Sequence, residues 1–155
     1  MRRYSSLFWY VTLFLSVFAL DRVTKFFVLK YQYSHYHVTS FLSFNIVFNR
    51  GFSWGICDSQ DSFVFFIVSA TIFLITVGLG FFAWRRYSKG HMIIGETVAV
   101  AGSLSNIIDR IFYGGVVDFI VLSFGKFSWP IFNFADFFIF FGILLVCCFV
   151  WFENN

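Results

Sequence analysis

The chain has 155 residues, of which 59% are hydrophobic and only 12% are charged. A soluble domain carries about 25% charged residues, so this chain has too few to cover a water-facing surface. With a net charge of +3 and a mean hydropathy of +0.81, the composition excludes a soluble globular enzyme, a disordered tail and a nucleic-acid binder. It fits a single domain, 1–155, whose solvent is lipid.

Four stretches have the ~20 mostly apolar residues that a membrane span needs. The first covers about 7–29 and the second 63–84, which holds no charge. The third, 92–112, is poorer, with Glu96, Asn106, Asp109 and Arg110. The fourth covers 133–152, with Asp136 near its start. Arg2 and Arg3 resemble the charged start of a signal peptide. The apolar run after them is long, lacks a small-x-small cleavage site and carries Asp21 and Lys25, so it reads as a retained helix. This predicts an all-α membrane protein with four transmembrane helices.

Loop cations set the orientation. Arg2 and Arg3, with Arg85, Arg86 and Lys89, are dense in two short segments, whereas loops 30–62 and 113–132 hold only scattered cations. Both termini are therefore expected in the cytoplasm and both long loops outside. Trp9, Trp84 and Trp151 then fall at the inner interface, and Trp54 and Trp129 at the outer one, an aromatic belt found independently of the charges. Residues 36–49 are β-branched and aromatic with partial alternation, which suggests short strands. Gly51 and Gly55 punctuate the rest of that loop, and Asp61 should cap the second helix. Cys57, Cys147 and Cys148 form no disulfide framework, and the adjacent pair reads as small hydrophobes.

Ionisable groups within a span cost ~2.5 kcal/mol or more each, so each calls for a reason. Asp21 and Lys25 are four apart and share a helix face, as a buried ion pair would. Asn106 and Asp109, with Arg110 in the same turn, follow small residues, Gly95, Ala99, Gly102 and Ser103, and Asn106 and Asp109 continue the face that should pack on other helices. Arg110, adjacent to Asp109, is a candidate counter-ion for it. Asp118 has no cation within four residues on either side. It is either a solvent-facing loop acid or a carboxylate in an apolar setting with a raised pKa. Asp136 also lacks a nearby cation. Asn133 as helix cap with Asp136 in the first turn accounts for it structurally. Yet all four aspartates fall at the outer level. Two carboxylates that cannot both ionise would share a proton, leaving an acid and a base at neutral pH. Rival constellations are weak. His35 and His37 lack a third metal ligand, and no nucleophile-elbow, zinc-helix or phosphate-loop motif is present.

Five segments in order carry a resemblance. They are Asp21-Arg22-Val23-Thr24-Lys25, Phe48-Asn49-Arg50-Gly51, Asn106-Ile107-Ile108-Asp109-Arg110, Val116-Val117-Asp118-Phe119 and Phe132-Asn133-Phe134-Ala135-Asp136. The chain resembles lipoprotein signal peptidase, signal peptidase II, over nearly its whole length. The resemblance implies a metal-free, cofactor-free aspartic endopeptidase of the bacterial cytoplasmic (inner) membrane. A small extracytoplasmic β-sheet cradle is expected in the first outer loop, with the active site at the outer-leaflet face. Such an enzyme removes the signal peptide from diacylglyceryl-modified prolipoproteins, cutting before the lipidated cysteine. The family's catalytic pair maps onto Asp118 and Asp136. Its other motif residues map onto Asp21, Lys25, Asn49, Gly51, Asn106, Asp109, Arg110 and Asn133, which shape the site and contact lipid substrate or globomycin-type inhibitors. The expected partners are thus diacylated prolipoproteins and membrane lipid, with no nucleic acid, and the protein is expected as a monomer. Phe52 follows Gly51 where the family usually has a small residue, and Ser105 stands where it usually has Gly. Two other classes remain in view, a proton-coupled carrier and a structural subunit held together by polar groups. The carrier reading lacks a path, since the second span is uncharged and the inner half offers only Glu96.

Overall fold

The computed structural model describes residues 2–33, 36–51 and 59–154. Trp54, Gly55, Cys57, Phe52 and His35 lie outside the described residues. The order of elements is α1 (Arg2–Tyr31), β1 (Tyr36–His37), β2 (Leu42–Asn49), α2 (Ser62–Ser88), α3 (Ile94–Tyr113), β3 (Val116–Phe124), β4 (Phe127–Ser128) and α4 (Phe134–Asn154). The expected fold class is thus helical, with a small antiparallel sheet added. Two helices, Ser62–Ser88 and Phe134–Glu153, are long and apolar enough to cross a membrane by length and composition. The other two are of spanning length but carry buried charges: Asp21 and Lys25 on α1, and Glu96, Asp109 and Arg110 on α3.

Buried charges share the interior with apolar side chains, while the outside carries large apolar groups. Asp21, Lys25, Glu96, Asp109 and Asn133 are fully buried, whereas Phe63, Phe66, Leu74, Trp84, Phe140 and Phe152 face outward. Water would penalise such a surface, and hydrocarbon does not.

Polar contacts fix the helix directions. The C-terminal half of α1 meets that of α3 through Lys25 and Asn106, and Tyr10 near its start meets Ile93 just before α3. These two helices run alike. Ala135, at the start of α4, donates its backbone N–H to Asp21. Arg86, at the end of α2, reaches Glu153 at the end of α4. So α2 and α4 run opposite to α1 and α3. Asp61 caps α2 as expected, accepting the Phe63 N–H at 2.7 Å.

The sheet corrects the expectation for the loops. Its order is β1-β2-β3-β4, so the second long loop supplies as many strands as the first. The run Val116–Phe124 is apolar almost throughout, and β3 is buried on both faces from Val116 to Ile120. A strand buried on both faces shows no alternation, so period-two patterning misses it. Gly114 ends α3 in the left-handed region at φ 66° and turns the chain into β3. Phe132 pairs with Ile120 as an isolated bridge, which draws the start of α4 onto β3. Val28, Phe119 and Ile120, with Tyr33, Leu42, Phe44, Ile46, Phe132 and Phe134 around them, form the core beneath the sheet.

The small residues of α3 meet α4, as their spacing predicts. A Cβ on Gly142 would sit 2.7 Å from the Ala99 nitrogen and 2.7 Å from the Gly95 oxygen. Both are backbone atoms, which cannot step aside as a side chain can. A β-methyl on Gly78 of α2 would meet nothing within 4 Å. Gly142→Val should therefore cost about 1–3 kcal/mol or more of stability by overpacking. Gly78→Ala should gain up to about 1 kcal/mol from helix propensity. Thermal unfolding in detergent measures both, and equal effects would contradict the close helix contact.

Candidate active site

At the sheet end of the bundle, the motif residues from α1, β2, α3, β3 and α4 come together. Lys25 lies at the centre of a buried ion cluster. Its Nζ is 2.8 Å from Asp21 Oδ2 and 2.7 Å from Asp109 Oδ2, and it donates to Asn106 Oδ1 at 2.7 Å. Each carboxylate of the cluster also ties down backbone. Asp21 accepts the Ala135 N–H at 2.8 Å and the Ser105 hydroxyl at 2.6 Å. Asp109 accepts the Val117 N–H at 3.2 Å, one residue before Asp118.

Here the structure corrects one expectation and adds two residues. The partners of Asp109 are Lys25 and Arg22, not Arg110. Consecutive helix residues point about 100° apart, so Asp109 and Arg110 cannot share a face. Arg110 instead turns toward β2, donating to the Arg50 oxygen at 3.2 Å and to the Gly51 oxygen. Arg22 was not singled out in the sequence. Its only signal was its position one turn before Lys25, which places both on one arc of α1. Ser105, expected only as a departure from the family pattern, lies against Asp21 and Arg22 with its hydroxyl in use.

Three asparagines stand between this cluster and the two remaining carboxylates. Asn106 passes the hydrogen bond onward, accepting from Lys25 and donating to Asp136 Oδ1 at 2.9 Å. Asn133 donates to Asp118 Oδ1 at 2.6 Å and to Asn106 Oδ1 at 3.2 Å. Its backbone N–H reaches Asp136 Oδ2 at 3.3 Å, while its own Oδ1 accepts the Asp136 N–H at 2.9 Å. This is a reciprocal cap at the start of α4, so the helix-cap account of Asp136 and its place in the site hold together. Asn49, from β2, donates to the other oxygen of Asp118 at 3.0 Å, and its Oδ1 accepts the Gly51 N–H at 2.9 Å.

Asp118 is therefore not a solvent-facing loop acid. It sits on β3 opposite Val47 and is 2% exposed. Burial and the nearby Asp136 push its carboxyl up to about 7, against the downward pull of Asn49, Lys25 and Asn133. Asn133 touches both carboxylates. A cavity of about 160 Å³ opens beside Asp136, with Asn49, Asn106 and Arg110 on its polar side and Ile72, Ile75 and Ile139 on its apolar side. His37 lies on the exposed strand β1. Among the described residues, no group of three or more His, Cys, Asp and Glu side chains is placed to hold a metal ion. Cys147 and Cys148 are free and exposed on α4.

Residues 13–152 match the family model described as signal peptidase (SPase) II. The lipoprotein signal peptidase of Anaplasma marginale (strain Florida) is 35% identical over 136 residues, covering 85% of this chain and 78% of that protein. That of Staphylococcus carnosus (strain TM300) is 34% identical over 152 residues, covering 94% and 92%. Among solved structures, a bacterial membrane enzyme determined in meso at 2.3 Å resolution superposes with a TM-score of 0.76 at 25% identity, covering 94% of this chain and 89% of that one. A second, at 1.9 Å resolution, gives a TM-score of 0.70 at 26% identity, covering 90% of each. The match spans nearly the whole chain, and it takes in every element that builds the site: the chain belongs to the signal peptidase II family.

Proposed function

We propose that the protein is a membrane-embedded aspartic endopeptidase that removes the signal peptide from diacylglyceryl-modified prolipoproteins, cutting before the lipidated cysteine. Family membership supports a protease acting on prolipoproteins. The observation that carries the catalytic type is the pairing of Asp118 and Asp136. Both are held by Asn133, and neither has a salt-bridge partner among the described residues, whereas Asp21 and Asp109 are neutralised by Lys25 and Arg22 together. A carboxyl that keeps its proton to about pH 7 beside a second carboxylate supplies an acid and a base together.

In the proposed reaction, one carboxylate takes a proton from water as its oxygen attacks the scissile carbonyl carbon. The other carboxylic acid gives its proton to the carbonyl oxygen. The tetrahedral intermediate collapses with proton return to the leaving amine. The pair titrates as a unit, so neither residue is assigned as base. Arg110, whose Nε has no hydrogen-bond partner among the described residues, lines the cavity beside Asp136. We assign it, with Asn49 and Gly51, to holding substrate backbone or the lipid head-group region. The apolar wall of Ile72, Ile75 and Ile139 suits the hydrophobic part of a signal peptide. Globomycin-type inhibitors would occupy the same cavity.

The membrane arrangement is part of the proposal. All four helices span, both termini lie in the cytoplasm, and the sheet end faces the outer leaflet of the bacterial inner membrane. The outward apolar surface and the cations Arg85, Arg86 and Lys89 at the opposite end support it. Arg22, Lys25, Asp21 and Asp109 are neutralised among themselves, which lowers the cost of α1 and α3 in lipid.

Two results test this. Asp118→Asn and Asp136→Asn should each lower cleavage of a diacylated prolipoprotein in detergent by at least 10³-fold without lowering the unfolding temperature. Near wild-type turnover in either would overturn the assignment. Infrared difference spectra should show a protonated carboxyl band at pH 6 that fades as pH rises past about 7. The fading should be absent from the double variant with both aspartates changed to asparagine. A band that persists there belongs to another carboxyl.

A further inference from the structure

The end of the bundle remote from the aspartates carries a second built feature. A cavity of about 490 Å³ opens between the last turns of α2 and α4. One wall is apolar, from Phe81, Phe82 and Val150, and the rim is basic, from Arg85, Arg86 and Lys89. The cations differ in their state. Arg86 is committed: its guanidinium bonds both oxygens of Glu153 at 2.6 and 2.8 Å and the Met92 carbonyl at 3.2 Å, and its Nε lies 2.6 Å from the buried Glu96. His91 also faces Glu153, at 3.2 Å. Both acids at this end are thereby used. Arg85 and Lys89, four residues apart on one face, are exposed and have no carboxylate partner among the described residues. Arg85 rests on the Phe81 ring, with its guanidinium carbon 5.9 Å from the centroid.

The positive-inside tendency accounts for cations at this end, but not for a concave site with an apolar wall behind them. We propose that this cavity binds an anionic phospholipid of the cytoplasmic leaflet. The phosphate pairs with Arg85 and Lys89, and the upper acyl chain lies on Phe81, Phe82 and Val150. Basic pockets between helices on that side are suited to anionic head groups, and Arg86, locked between its two acids, gives the site a rigid floor. The inference rests on the four-span reading for the depth of this end, and not on the proteolytic reading.

The test uses the full chain in detergent micelles doped with phosphatidylglycerol or with phosphatidylcholine of the same acyl chains. Native mass spectrometry counts the lipid retained. Phosphatidylglycerol should be retained at least fivefold over phosphatidylcholine, with the preference falling as salt rises from 50 to 300 mM. R85Q/K89Q should bring retention down to the phosphatidylcholine level while leaving prolipoprotein cleavage unchanged. Asp118→Asn should keep the preference, which separates this site from the cleavage reaction. Equal retention of the two lipids by the unmodified protein overturns the proposal whether or not the double variant folds. So does a preference that survives R85Q/K89Q, and so does complete displacement by millimolar inorganic phosphate, which marks a soluble-anion site.

Discussion

The site depends on one buried cation. Lys25 is fully buried, and in an apolar bundle a charge without a partner carries a large desolvation cost. It stays because Asp21 and Asp109 flank it at 2.8 and 2.7 Å, and because Arg22 supplies the second positive charge that two carboxylates need. Removing one partner from such a group typically costs about 3–5 kcal/mol, since it leaves a buried charge uncompensated. The cluster also places chain. Through Ala135 and Val117, its carboxylates hold the start of α4 and the strand just before Asp118.

From that cluster outward, charge is converted into oriented amides. Asn106 takes one end of its dipole from Lys25 and turns the other to Asp136. Asn133 does the same between Asn106 and Asp118. The two outer carboxylates therefore feel a positive centre without touching one. They are held in place, while burial and their closeness hold a proton on the pair, with the Asp118 carboxyl pushed up to about 7. A direct salt bridge would fix their position equally well and would also strip that proton. The close seam of Gly95, Ala99 and Gly142 brings α3 and α4 near enough for Asn106 to reach Asp136. The opposite end is closed separately, by Arg86 between Glu96 and Glu153.

Much of this was legible in the sequence, for reasons that can be named. The i, i+4 spacing of Asp21 and Lys25 and the small-residue face of α3 are helix-period signals, and the structure keeps both. Asn133 and Asp136 read correctly as a cap. What stayed hidden needed a third dimension. Arg22 and Asp109 pair across 87 residues, which no local pattern reports. Arg110 looked like a partner for Asp109 because the two are adjacent, yet helix geometry turns it to the Arg50 and Gly51 carbonyls just after β2. Asp118 read as a loop residue because a doubly buried strand lacks the alternation that marks strands. The pairing of Glu96 with Arg86 at the end of α2 likewise joins two separate helices.

The central claim is that Asp118 and Asp136 work as a pair sharing one proton. The pH dependence of prolipoprotein cleavage tests it most directly, measured from pH 4 to 9 with and without a strong chelator. On that claim, only the singly protonated pair would be active. Activity should fall on the acid side as a second proton binds, and on the alkaline side as the last proton leaves near the raised value of about 7 for Asp118. A bell-shaped profile spanning neutral pH, unchanged by the chelator, is the predicted result. A profile with one limb only, or activity lost on chelation and restored by added metal, would contradict the two-aspartate account.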